Sequence, residues 1–182
     1  MDKSFSNKKE LRKDFLKRRE ALSEKEARER SVCVIQKLRS DLYFRKARTI
    51  LIYVSKGKEI STHDLIKEAS KEKIVLIPRL REKKLEAVRF TSFDDMAKGD
   101  FGVLEPKSGE AFDINKIDLV VLPGLAFDKH GYRLGYGLGY FDQFLKAYQG
   151  RKIALAYDFQ LTKTLPHDEW DVRVDEVISD TP

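Results

Sequence analysis

Four of the ten glycines in this 182-residue chain fall within nine residues: Gly131, Gly135, Gly137 and Gly139. Arg133 stands among them and Asp142 follows, so one short segment combines backbone freedom, a guanidinium and a carboxylate. Glycine permits positive φ and a close approach of backbone to ligand. Successive N–H groups in such turns form an anion-binding nest, and a helix starting directly after adds its positive end. Arg133 can fork onto a phosphate. A flexible surface loop is the bland alternative, but Phe127, Tyr132, Tyr136, Tyr140 and Phe141 would be poor choices for a linker. The chemistry implied is the holding of a phosphorylated ligand. The segment is not a Walker A motif, because no Gly-Lys-Ser/Thr follows. Nor is it the dinucleotide fingerprint, because Asp142 stands where the third glycine should be. Spacing alone leaves the class of phosphate ligand open.

The elements that must position this segment follow from periodicity. Residues 7–22 read as a helix with Asn7 as N-cap and Leu11, Phe15 and Leu22 as its apolar stripe. A second helix starts at Ser23, where Ser23-Glu24-Lys25-Glu26 forms a capping box, and runs to about Leu38. The period then changes. Residues 49–55 are apolar and β-branched at nearly every position, as in a strand covered on both faces. Further strands are expected at 74–77, ending at Pro78, and at 85–90, 118–122, 152–156 and 176–179. Helices are expected from about Ser61 and over 140–148. Residues 91–116 read as irregular, with a short helix near 93–96. Strands that alternate with helices predict a single α/β domain over 1–182: three layers, a mostly parallel sheet and helices on both faces. Ligands of such sheets bind beyond the carboxyl ends of strands, which is where segment 123–142 falls.

Charged residues make up 36% of the chain and the net charge is +6, which suits an anionic ligand. The basic residues are scattered rather than striped, which argues against nucleic acid. Cys33 is the one cysteine, so no intrachain disulfide forms, and it reads as a small packed residue rather than a nucleophile. No stretch approaches the ~20 apolar residues of a membrane span, and no secretory leader is evident. A cytoplasmic monomer with no membrane partner is expected. His63, His130 and His167 have no metal-ligand spacing. Trp170 reads as a packing anchor.

The stretch from Leu122-Pro123-Gly124 through Phe127-Asp128 to Gly131-Tyr-Arg-Leu-Gly-Tyr-Gly-Leu-Gly-Tyr-Phe-Asp142 closely resembles the signature of the 5-formyltetrahydrofolate cyclo-ligase family. That signature is a strand ending in Pro-Gly, then Phe-Asp, then Gly-x-Arg-Leu-Gly-x-Gly-x-Gly-Tyr-Tyr-Asp. Lys8-Lys-Glu-Leu-Arg12, residues 53–62, Pro78-Arg79, His167-Asp168 and residues 174–178 extend the resemblance over nearly the whole chain. Two departures stand out. Phe141 replaces the second tyrosine, and Leu138 sits where the family commonly has glycine or lysine.

The resemblance implies an ATP-driven, Mg²⁺-dependent cyclisation of 5-formyltetrahydrofolate, in some form polyglutamylated, to 5,10-methenyltetrahydrofolate. It assigns ATP to Lys8, Lys9 and Arg12 and to the run Arg133, Leu134, Gly135, Tyr136, Gly137, Leu138, Gly139, Tyr140 and Phe141. It assigns the folate to Tyr53, Glu59, Tyr136, Gly137, Leu138, Gly139 and Tyr140. Arg133 and Tyr140 are the catalytic candidates, and Asp142 and Asp175 match the metal carboxylates. For each carboxylate the plainer alternative is a helix-start or strand-start residue. Two rival classes share part of the pattern. A sugar-phosphate isomerase-like enzyme would need the loop but not Lys8 and Arg12. A non-enzymatic folate- or RNA-binding relative should have lost Arg133, Asp142 or the glycines.

Overall fold

The computed structural model describes residues 3–99 and 101–181, with side chains from Lys8 onward in the first helix. Its centre is a six-stranded sheet of order β11-β9-β6-β1-β2-β3. The strands are β1 (Thr49–Ile52), β2 (Ile74–Arg81), β3 (Lys84–Arg89), β6 (Leu119–Leu122), β9 (Arg151–Ala156) and β11 (Glu176–Ser179). All neighbours pair in parallel except β3, which turns back on β2 as an antiparallel edge. The expected α/β class is therefore correct.

The layers follow from strand alternation. Ile50, Ile52, Leu119, Val121, Ile153 and Leu155 pack on one face with Val34 and Leu38 of α2 (Glu24–Ser40) and Leu65 and Ile66 of α4 (His63–Ala69). Leu51, Val120, Leu122, Ala154 and Ala156 pack on the other face with Leu145 of α5 (Tyr140–Lys146) and Tyr148. Because both faces are covered, the central strands are apolar at every position. A short α3 (Leu42–Lys46), capped by the Asp41 carboxylate, links α2 to β1.

Several boundaries differ from expectation. The first helix, α1 (Lys3–Glu20), runs through Asn7 instead of starting there. A cap preference of about 1 kcal/mol does not stop a helix whose next turns are docked. The chain leaves α1 at Ala21 and Leu22, and the Ser23 capping box forms as expected. Pro78 does not end β2. Pairing of β2 with β1 stops at Leu76, so Pro78 lies on a stretch bonded on one side only, where a missing N–H is tolerated. Within 91–116 a hairpin of β4 (Met96–Lys98) and β5 (Leu104–Pro106) forms beside the expected short helix, here a 3₁₀ turn at Phe93–Asp95. Three-residue strands are too short to leave a readable period.

The glycine-rich segment itself contains structure. β7 (Ala126–Asp128) and β8 (Arg133–Leu134) make a hairpin, and β10 (Leu161–Thr162) joins β7 in parallel to form a small sheet of order β10-β7-β8. Phe15 of α1 packs against Leu125, Ala126, Leu134 and Leu165 around this sheet. Asp128 holds its turn: Oδ1 accepts from the N–H groups of His130 and Tyr132, and Oδ2 accepts from Leu165 N–H. Replacing Asp128 by alanine strips three backbone donors of a charged acceptor. It should lower unfolding free energy by about 2–4 kcal/mol, read from urea denaturation midpoints.

Candidate active site

A cavity of about 570 Å³ opens beyond the carboxyl ends of β1 and β6, where Tyr53 and Pro123 leave the sheet. Its size is that of a small-molecule site. The glycine loop forms one wall, Glu59 lies at the other end, and the rim carries Phe101, Leu138 and Trp170.

One face of α1 closes the back of this cavity. Residues 8, 12, 15 and 19 recur at nearly whole helical turns, so their side chains form one row. Lys8 is buried, and its Nζ donates to Asp168 Oδ2 at 2.5 Å and Asp171 Oδ2 at 2.8 Å. Burial alone would lower the Lys8 pKa. The hydrogen bonds and charges of the two aspartates outweigh it, and the net shift is upward. Arg12 Nε donates to the Gly135 carbonyl at 2.9 Å. Phe15 supplies the apolar contact described above. Arg19 Nη2 donates to the Tyr136 hydroxyl at 2.8 Å.

The glycines make room for these cations. Gly137 has φ +100, and a Cβ there would stand 3.1 Å from the Arg12 guanidinium carbon. A Cβ on Gly135 would stand 2.8 Å from Arg133 Nη1. The Arg133 side chain is almost wholly buried and donates from Nη2 to Asp142 Oδ2 at 3.0 Å. Its Nε has no hydrogen-bond partner, and its guanidinium lies over the Phe141 ring. Asp142 Oδ1 also accepts from Val172 N–H at 3.2 Å. Asp142 therefore ties the start of α5 to the 167–172 loop as well as to Arg133.

At the far end Glu59 is buried. Its Oε2 accepts from Lys56 N–H at 2.9 Å, and its Oε1 accepts from the Tyr136 hydroxyl at 2.5 Å. Burial, then the Glu59 charge, pushes the Tyr136 hydroxyl far above its ordinary value, so it stays a donor at any working pH. Tyr53 donates to the Ile60 carbonyl, and burial likewise raises its pKa well above normal. Its ring belongs to the core and lines the cavity at once.

Of the residues singled out in the sequence, Lys8, Arg12, Tyr53, Glu59 and the whole run from Arg133 to Asp142 line this one cavity. Lys9 does not; it is exposed on the other side of α1. Asp175 is not brought to Asp142 either. It precedes β11 and binds Lys152, through the backbone N–H at 2.7 Å and Nζ at 3.2 Å, near the amino end of β9. Trp170 is not a packing anchor: it is 54% exposed at the rim. Cys33 is half-buried on α2. His167 stacks on Tyr132, with ring centroids 3.6 Å apart. Arg19, Lys56 and Asp171 escaped the sequence reading. A helical-row count from Lys8 would have found Arg19; nothing local marks the other two.

Among the described residues no group of three or more His, Cys, Asp or Glu side chains could hold a metal ion. Mg²⁺ commonly takes only one or two carboxylates and fills its shell with substrate phosphates and water. Asp142 beside the glycine loop therefore fits a metal that arrives with a nucleotide, and no preassembled metal centre is present among these residues. No helix among the described residues is long and apolar enough to cross a membrane.

A cavity lined by a glycine loop, two arginines and a buried carboxylate, at the carboxyl edge of a mostly parallel sheet, is the arrangement of an α/β enzyme with a small-molecule site. The family model for the 5-formyltetrahydrofolate cyclo-ligase family matches residues 4–180, and the chain belongs to that family. It is 36% identical over 194 residues to the 5-formyltetrahydrofolate cyclo-ligase of Mus musculus, covering 97% of this chain and 96% of that one. It is 34% identical over 143 residues to the enzyme of that name from Haemophilus influenzae, covering 74% and 76%. Among solved structures, the 5,10-methenyltetrahydrofolate synthetase of Aquifex aeolicus superposes with a TM-score of 0.87 at 38% identity, over 96% of this chain and 90% of that one. The synthetase of Mycoplasma pneumoniae gives 0.79 at 29%, over 96% and 99%. The family resemblance read from the motif is thus correct, and the isomerase alternative falls away.

The Lys8 cluster generates a pH prediction. A lysine whose pKa is higher in the folded state stabilises fully below its unfolded value of 10.5. That contribution is lost as pH rises through the higher folded value. Lys8→Met should lower the urea midpoint by a constant amount between neutral pH and about pH 10. The gap to the wild type should close above 10.5. A gap that is already absent at neutral pH would mean that the Lys8 pairs contribute nothing.

Proposed function

We propose that the chain catalyses the ATP- and Mg²⁺-dependent cyclisation of 5-formyltetrahydrofolate to 5,10-methenyltetrahydrofolate, releasing ADP and phosphate. The observation that carries this is the polarity of the cavity lined by the glycine loop. Arg12, Arg133 and the glycine backbone make one end cationic, while the Tyr136 side chain reaches from the loop to Glu59 and Tyr53, which make the other a pocket of aromatic faces around a carboxylate. The first end suits nucleotide phosphates. The second suits a pterin, whose amino and ring N–H groups need an acceptor and whose rings need an aromatic face. Family membership and the relatives' names support the same activity.

The chemistry explains the residue types. A formyl oxygen on N5 leaves slowly as water. Transfer of the γ-phosphoryl group to that oxygen makes it a good leaving group. The N10 lone pair then attacks the formyl carbon, the N10 proton is lost, and the oxygen departs within phosphate. Phosphoryl transfer depends mostly on positioning and charge neutralisation. Arg133, fixed by Asp142, supplies a guanidinium to the phosphate end, and Lys8 holds the 168–171 loop against α1. Tyr140 lines the cavity beside Phe101, and we assign it the orienting of the formyl group. Magnesium, carried by the nucleotide with Asp142 as its protein carboxylate, adds charge neutralisation when bound. Asp175 and Lys9, away from the cavity, receive no role. The glycines, Arg133 and Asp142 are all retained, which disfavours a non-enzymatic folate or RNA binder.

The direct test follows the methenyl-folate absorbance band after mixing protein, Mg-ATP and 5-formyltetrahydrofolate, with ADP measured in parallel. Product should appear in equal amounts with ADP and vanish in excess chelator. Undiminished turnover without nucleotide or divalent metal would sink the proposal.

Asp142→Asn provides a second test. Asparagine keeps one acceptor oxygen, so it retains either the Arg133 or the Val172 bond, and the melting temperature should fall by several degrees while the fold survives. It is a poor Mg²⁺ ligand and no longer balances Arg133. Loss of roughly 3–4 kcal/mol of transition-state stabilisation should cut kcat about a hundredfold or more. A kcat close to wild type at saturating Mg²⁺ would leave Asp142 as a structural residue only.

A further inference from the structure

Arg19 does not line the cavity, yet it stands directly behind two residues that do. Its side chain is 5% exposed and that of Glu59 is 7% exposed. Arg19 Nη2 donates to the Tyr136 hydroxyl at 2.8 Å, and that hydroxyl donates to Glu59 Oε1 at 2.5 Å. Arg19 Nη1 lies 3.6 Å from the same Oε1, just too far for a hydrogen bond, and Nε and Nη1 have no hydrogen-bond partner. A guanidinium brings five donors and no acceptor into the interior. Burying a charge with donors unmet is costly, so stability alone is a poor reason for this arrangement. Burial works against the Arg19 charge, but Tyr136 and Glu59 more than offset it, and its pKa is raised. The cation is permanent, and its two partners come from different loops that line the cavity. Glu59 lies on the loop that follows β1; Tyr136 lies within the glycine loop.

We propose that Arg19 is a positioning residue that aims the Glu59 carboxylate at the folate and, through Tyr136, anchors the glycine loop, so that the two loops share one support. A shift of Glu59 by less than an ångström toward Arg19 closes the 3.6 Å gap to ordinary charge-assisted bonding distance. The Tyr136 hydroxyl, already bonded to both, transmits that shift to the backbone between Gly135 and Gly137. The claim rests on the reading of Glu59 as the folate carboxylate given above.

The experiment is calorimetric titration of 5-formyltetrahydrofolate, and separately of a magnesium-loaded non-hydrolysable ATP analogue, into wild type, Arg19→Met, Arg19→Lys, Tyr136→Phe and the Arg19→Met/Tyr136→Phe pair. Melting temperatures are measured alongside. Arg19→Met should weaken folate binding by about tenfold or more, and Arg19→Lys should recover part of that loss. For the nucleotide analogue the two single changes should not add, because both cut the same link. A smaller folate effect in Arg19→Met overturns the proposal, even if the protein melts earlier, because that outcome describes packing only. If Arg19→Met does not fold, Arg19→Lys decides. Folate affinity equal to wild type there overturns the proposal, and reduced affinity supports it. If the wild type itself does not bind 5-formyltetrahydrofolate, the folate reading fails. The shared anchor then stands or falls on the non-additivity measured with the nucleotide analogue.

Discussion

The docking of α1 against the glycine loop is the contact on which the cavity depends. Three cations and one aromatic ring on a single helix face each take a different part of the site. Lys8 fastens the 168–171 loop, Arg12 takes the Gly135 carbonyl, Phe15 packs on the small sheet, and Arg19 reaches Tyr136. Without this helix the glycine loop would have an unsupported back and its carbonyl and hydroxyl groups would turn to solvent. The loop is therefore held by contacts with sequence separations above one hundred residues as well as by the turn chemistry of Asp128.

That docking changes what the glycines are for. A glycine-rich segment suggests backbone laid bare for a phosphate. Here Gly135 and Gly137 also leave space for the guanidinium groups of Arg133 and Arg12, which a Cβ would crowd. The same absence of side chains that admits a ligand admits the chain's own cations to the loop. Positive charge is thus delivered to the glycine loop from within the protein.

Buried charge in the site is consistently compensated in pairs that cross between elements. Arg133 meets Asp142, Lys8 meets Asp168 and Asp171, and Arg19 meets Tyr136 and Glu59. Such pairs contribute little net stability, because the desolvation of both partners offsets their attraction. They do penalise any arrangement in which one partner is missing. The parallel sheet, with apolar residues on both faces, supplies the stability that lets these pairs be placed for geometry instead.

Much of this architecture was legible locally. Continuous apolar runs mark strands covered on both faces, and β1, β6 and β9 are such strands. The Ser23 capping box marks the start of α2, because its two reciprocal bonds involve residues three apart. The glycine-rich run with Arg133 and Asp142 locates the site, since a strand ends before it and a helix begins after it. Boundaries were less legible. Asn7 and Pro78 have local preferences of about 1–3 kcal/mol, and neighbouring contacts override preferences of that size. What only the tertiary structure decided is which charges meet. Asp175 and Asp142 are both acidic residues of the matched motif, yet the chain carries one to Lys152 and the other to Arg133. Lys8 and Lys9 are adjacent and chemically identical, but the turn of the helix buries the first and exposes the second. Arg19 ends the run Lys17-Arg18-Arg19, and its partner lies in a loop more than a hundred residues away. Residue type and local period set what a side chain can do; its partner is set by the packing of distant elements, which no local pattern encodes.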